Sequence, residues 1–167
     1  DGNVSMPTKG GRVWLVSGDT LTASTADAWT STDEAILLHG GDSSSDAEGY
    51  ALEIGDVTGD GLLDILVGAE LGEVSGGGNN RGTISVFAGQ SSAFPVAHTP
   101  VSVMAGISNG DRFGAAMAVV PDVTGDALPE VVSVALRGNG PGRDVGDFYW
   151  VPSEVDSMPT LLAHPVA

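Results

Sequence analysis

Apolar and β-branched residues fall in short runs of four to seven along the chain, separated by breaks rich in Gly, Ser, Asp and Pro. Runs of that length between turn formers predict strands rather than helices. The first two are Arg12 to Val16 and Ala35 to His39. Four more follow at Tyr50 to Ile54, Ile65 to Ala69, Thr83 to Ala88 and Val101 to Ala105, and another four at Gly114 to Val120, Val131 to Ala135, Asp147 to Val151 and Leu161 to His164. Thr22 to Glu34 is so rich in β-branched and capping residues that it reads as a loop. Gly-rich stretches at Leu71 to Asn80 and Arg137 to Asp144 favour turns.

The pattern repeats. DVTGDGLLD at Asp56 to Asp64 returns 66 residues later as DVTGDALPE at Asp122 to Glu130. The flanks keep the spacing: Gly55 to Glu70 lies over Pro121 to Leu136, and AILLHG ending at Gly40 lies over VSVMAG ending at Gly106. RGTISVFAG from Arg81 is similar both to VGDFYWVPS from Val145 and to GRVWLVSG from Gly11. Four strands per unit predict an all-β fold of propeller blades, each a sheet of four antiparallel strands. Residues 1–40 would be the second half of a blade, carrying its two outer strands, with complete blades at 41–106 and 107–167. That is about two and a half blades, whereas a ring takes about 4 to 8. The chain is therefore expected to be part of a larger propeller, with other blades in the same chain or another. An incomplete ring exposes a strand edge and apolar blade faces.

Charge narrows the partners. The 167 residues carry 22 acidic and 6 basic side chains, a net charge of −16, with Lys9 the only lysine. Nucleic acid and anionic membrane surfaces would repel such a chain, and cations are its natural partners. No apolar run approaches the ~20 residues that cross a bilayer, so membrane insertion is not expected. Cysteine is absent, which excludes disulfides and thiolate metal sites. Glu48, Glu53, Asp144 and Glu154 read as solvated surface charge.

The two acidic loops need a more specific reading. Asp56, Thr58, Asp60 and Asp64 put side-chain oxygens at positions 1, 3, 5 and 9 of a loop whose sixth residue is Gly61, and the carbonyl of Leu62 can add a fifth donor from position 7. Such a loop suits calcium, which takes about 6 to 8 mixed oxygen ligands, better than magnesium with its rigid octahedron. Without an ion the three carboxylates would repel one another in a tight turn. In the second loop Asp122, Thr124, Asp126 and Glu130 offer side chains and Leu128 its carbonyl. There Ala127 replaces the turn glycine, Pro129 stiffens the approach and Glu130 reaches with a longer arm, so weaker binding is expected. The opening of each loop is similar to that of an EF-hand loop, but Val67 stands at position 12 where a Glu would be required.

In family terms the two units resemble FG-GAP repeats, the blades of the integrin α-subunit type of β-propeller. There a Phe-Gly pair opens the first strand, a DxNxDGxxD loop follows, and Gly-Ala-Pro ends the next strand. Here Phe113 and Gly114 precede the second loop, and Gly68 and Ala69, followed by Glu70, close the strand after the first. Ala47 and Glu48 stand where the first copy should have Phe-Gly, and Val134, Ala135 and Leu136 replace Gly-Ala-Pro in the second. The resemblance implies a propeller commonly of seven blades, calcium in the loops, and an extracellular or cell-surface setting.

No catalytic constellation emerges from the remaining residues. His39, His98 and His164 show no metal or triad spacing, and Ser17, Ser43 to Ser45 and Ser75 lie in loops with no paired base. Trp14, Phe87, Tyr149 and Trp150 fall on third-strand runs and are expected to fill space between blades. Trp29 stands in a long loop, and Asn3-Val4-Ser5 is a glycosylation triplet. The expected function is a calcium-binding, non-catalytic module for adhesion or recognition, meeting a protein or carbohydrate ligand through its blade loops. The alternative is an accessory propeller region of a secreted enzyme acting on polysaccharide or lipid-anchored substrates, with catalytic residues elsewhere.

Overall fold

A computed structural model of the chain describes residues 10–16, 35–40, 46–73, 80–91, 99–136, 147–151 and 160–163. Ten strands and no helix occur among them: β1 (Arg12–Val16), β2 (Ala35–Gly40), β3 (Glu48–Gly55), β4 (Asp64–Ala69), β5 (Thr83–Phe87), β6 (Ser102–Ala105), β7 (Ala116–Val120), β8 (Glu130–Ala135), β9 (Asp147–Val151) and β10 (Thr160–Ala163). Each lies within two residues of a run expected from the sequence. No helix of the described residues is long and apolar enough to cross a membrane.

The strands form three antiparallel sheets. β3-β4-β5-β6 and β7-β8-β9-β10 are up-and-down meanders of four, and β1 pairs with β2 alone among the described strands. This is the architecture of propeller blades. β5, the run TISVF, is buried at all five positions, as befits a strand covered on both faces. One face of the middle sheet supplies Leu66, Ile84, Val86 and Met104, which pack with Phe113, Val131 and Ala135 of the following sheet. The other face supplies Val67 and Phe87, which pack with Val13 and Leu15 of β1. Blade against blade thus makes the core. Phe87 fills the space between sheets as expected, but Trp14, on the strand face opposite Val13 and Leu15, is 39% exposed.

The structure corrects the register of the repeat. The loops and second strands are 66 residues apart, but the first strands are only 65 apart. Gly55 pairs with Asp64 in one blade and Val120 with Glu130 in the other, so the second loop holds one more residue, Pro121. Backbone geometry at the blade entrance agrees: Ala47 and Arg112 have φ of 58° and 57°, and Gly49 and Gly114 have 82° and 80°. Glu48–Gly49, not Ala47–Glu48, therefore occupies the place of Phe113–Gly114.

Both entrances dock on the preceding blade through the same hydrogen bond. The Phe113 amide donates to the Arg81 carbonyl at 2.9 Å and the Glu48 amide to the Gly10 carbonyl at 2.8 Å. Glu48 is consequently buried rather than a solvated surface charge, because its backbone position is that of a core side chain. A cavity of about 290 Å³ adjoins it, lined in part by Asp46, Thr83, Ser85 and Val103. Trp29, His98, His164, Asn3, Asp144, Glu154, Ser17, Ser43 to Ser45, Ser75 and the Arg137–Asp144 stretch lie outside the described residues, as do the side chains of His39, Tyr149 and Trp150.

Candidate metal centre

Each acidic loop joins the first and second strands of a blade, so two paired strands fix its ends. In the first, the Asp56 carboxylate accepts from the backbone amides of Gly59 (2.8 Å), Asp60 (3.1 Å) and Gly61 (2.9 Å). Asp60 accepts from the Leu62 amide at 2.8 Å. Asp64 is fully buried: its Oδ2 accepts from the Val57 and Thr58 amides, both at 2.9 Å, and its Oδ1 from the Gly89 amide at 2.8 Å. The Thr58 hydroxyl donates to the same Oδ1 at 3.4 Å. Backbone donors thus offset the carboxylate repulsion expected of the bare turn, because Asp56, Asp60 and Asp64 each accept from at least one amide of the loop, and Asp64 from Gly89 as well.

The second loop has the same design with a longer ninth side chain. Asp122 accepts from Gly125 (2.6 Å) and Ala127 (2.9 Å), and Asp126 from Leu128 (2.9 Å). Glu130, also fully buried, accepts from the Val123 amide (3.0 Å), the Thr124 amide (3.2 Å) and the Thr124 hydroxyl (2.6 Å). Oxygens of Asp122, Asp126 and Glu130 lie within 4.8 Å of one another, a spacing at which three carboxylates could share one metal ion. The gathered acidic cluster therefore sits in the loop from which weaker binding was expected. The extra methylene of Glu130 lets its carboxyl reach both the loop amides and the neighbourhood of Asp122 and Asp126.

A hard cation fits this donor set. Three anionic oxygens converge, two from exposed residues, and a carboxylate oxygen that accepts one amide bond keeps lone-pair capacity for an ion. In the first loop Asp56, Thr58, Asp60 and Asp64 occupy the corresponding positions, with Asp64 turned inward onto three amides.

Ala127 carries a strain that its counterpart avoids. Its φ is 73°, while Gly61, at the same place in the first loop, has φ of 85°, and a Cβ there would meet nothing within 4 Å. The penalty is local to the backbone, since left-handed geometry costs a non-Gly residue about 1–2 kcal/mol. Ala127→Gly is expected to raise stability by about 0.5–1 kcal/mol after the entropy returned to the unfolded chain, measured by urea unfolding in chelator. A loss of stability would show that the turn is not strained.

Four-stranded antiparallel sheets stacked face to face, with an acidic loop after each first strand, define the chain as a set of β-propeller blades. Residues 49–87, from Gly49 through the first loop to the end of β5, match the FG-GAP repeat family. No curated protein matches the chain. The match opens at the glycine that the φ comparison pairs with Gly114. Sequence reasoning missed that register, although DAEG at Asp46 and DRFG at Asp111 share a D-x-x-G signal.

Proposed function

We propose that this chain is a calcium-binding, non-catalytic propeller module of an extracellular or cell-surface recognition protein. The convergence of Asp122, Asp126 and Glu130 within 4.8 Å carries the reading. A bound calcium would neutralise these carboxylates and cross-link the first and second strands of the blade. The first loop offers a second site through Asp56, Thr58, Asp60 and Asp64, with the Leu62 carbonyl, and the Leu128 carbonyl and Thr124 hydroxyl complete the set in the second. In this reading calcium stiffens the blades, and the ligand, a protein or a carbohydrate, is met by the loops at Leu71–Asn80 and Arg137–Asp144. The net charge of −16 favours a ligand with basic groups and disfavours nucleic acid.

Calorimetric titration with calcium, paired with thermal unfolding in calcium and in chelator, tests this. Saturable binding at one or two sites is expected. At a free concentration of 100 Kd a single site adds about 2.7 kcal/mol, or about 5–10 °C in Tm at roughly 2–4 °C per kcal/mol. Asp126→Ala should remove the second site's share. No heat and no shift on a folded sample would reduce both loops to acidic turns.

A further inference from the structure

The two acidic loops touch each other. A Cβ added at Gly59, the fourth residue of the first loop, would lie 2.5 Å from Cδ2 of Leu128, the seventh residue of the second. The half-buried Leu128 side chain therefore lies against the bare backbone of Gly59. Each of these two residues holds a candidate ligand: the Gly59 amide donates to Asp56 at 2.8 Å and the Leu128 amide to Asp126 at 2.9 Å. Beneath them the seam is packed as well. Val57, whose amide donates to Asp64, shares a buried cluster with Val131, the residue after Glu130, and a Cβ at Gly55 would lie 2.7 Å from Val119. Gly125 takes the fourth place in the second loop with φ of 89°, against 76° at Gly59. A Cβ there would meet none of the described residues within 4 Å. The left-handed turn thus belongs to the loop design, and the contact with Leu128 to this seam.

We propose that the two loops take up calcium cooperatively, with the Leu128 side chain on Gly59 as the contact that couples them. The inference rests on the calcium reading given above. An ion in the first loop holds Asp56 and, through the amide bond, Gly59. Leu128 then packs on a backbone that is already ordered, and its carbonyl, the seventh-position donor, is held ready for the second ion. The cost of ordering the two loops is shared, so whichever ion binds second binds more tightly. Linkage makes the gain reciprocal: the second loop favours the first by the same factor. Charge acts in the opposite sense, since each cation lowers the negative potential that attracts the next. That effect is screened by salt at Asp60, Asp122 and Asp126, which are exposed, whereas the Leu128 contact is direct.

Calorimetric titration with calcium measures the coupling as one factor: the joint affinity of the chain for two ions, divided by the product of the single affinities that remain in Asp60→Ala and in Asp126→Ala. A factor of about fivefold or more is expected, the lower end of typical couplings. Repeating the set in Leu128→Ala, which keeps the carbonyl donor and removes the contact, should bring the factor close to unity. A factor that persists there arises from charge and overturns the proposal. Gly59→Ala should also abolish the coupling, because its Cβ displaces Leu128, while Gly125→Ala places the same left-handed strain where no described neighbour is met and should retain it. Equal loss in both glycine variants would assign the effect to backbone strain and overturn the role of Leu128. A parent chain that binds one ion, or two independently, overturns the coupling and leaves the calcium reading standing. Absence of calcium heat on a folded sample overturns that reading and the coupling with it.

Discussion

Phe113→Ala should cost about 3–5 kcal/mol, the range for emptying a fully buried aromatic site. Phe113 is fully buried and belongs to the same core as Leu66, Ile84, Val86 and Met104 of the preceding blade. It is carried there by the hydrogen bond from its own amide to Arg81. Neighbouring side chains cannot collapse into the space freely, because the sheet is packed on its other face too, where Val67 and Phe87 meet Val13 and Leu15 of β1. At roughly 2–4 °C per kcal/mol the loss amounts to about 10 °C in Tm. Urea unfolding in chelator is the measurement, so that ion binding does not mask the packing term. A loss below about 1 kcal/mol would show that the seam collapses around the truncated side chain, leaving little cavity. Splitting into two transitions would show instead that Phe113 is what makes the blades unfold together.

The seam before it is built differently. There Glu48 takes the backbone place of Phe113, and a cavity of about 290 Å³ lined by Asp46, Glu48, Thr83 and Ser85 replaces an aromatic plug. That seam is held by the amide bond from Glu48 to Gly10 and by Val13 and Leu15 packed with Val67 and Phe87.

Strands were legible in the sequence because apolar runs of four to seven residues between Gly and Asp breaks have few other uses in a chain without helical periodicity. The blades were legible because DVTGD recurs intact. What was not legible was a shift of a single residue. The acidic loops dominate any self-alignment and impose their spacing of 66, while Pro121 absorbs one residue just ahead of the second loop, where no side chain marks the step. In the 66-residue register Glu48 falls on Gly114, whereas its backbone counterpart is the buried Phe113. The loops' donor residues were legible from spacing, but their division of labour was not. Asp64 and Glu130 are both buried on their own loop's amides, and they differ by one methylene, with Glu130 the one whose oxygen lies within 4.8 Å of those of Asp122 and Asp126.

That division gives the second large effect. In chelator, Asp64→Ala is expected to cost about 3–5 kcal/mol while Asp60→Ala costs less than about 1 kcal/mol, since leaving a buried donor unsatisfied costs about 1–3 kcal/mol each. Asp64 holds the amides of Val57, Thr58 and Gly89, whereas Asp60, exposed, holds only that of Leu62 among the bonds described. The Gly89 contact matters most for the fold: it ties the loop between β3 and β4 to the chain just beyond β5, so three strands share one carboxylate. Adding calcium should then separate the roles. The ion's stabilisation should disappear from both variants, since each removes a donor, but only Asp64→Ala should already be impaired without it. Equal losses in chelator would mean that water replaces Asp64 at the three amides. The ninth position would then serve the ion alone, instead of acting first as a clamp on which the ion site is built.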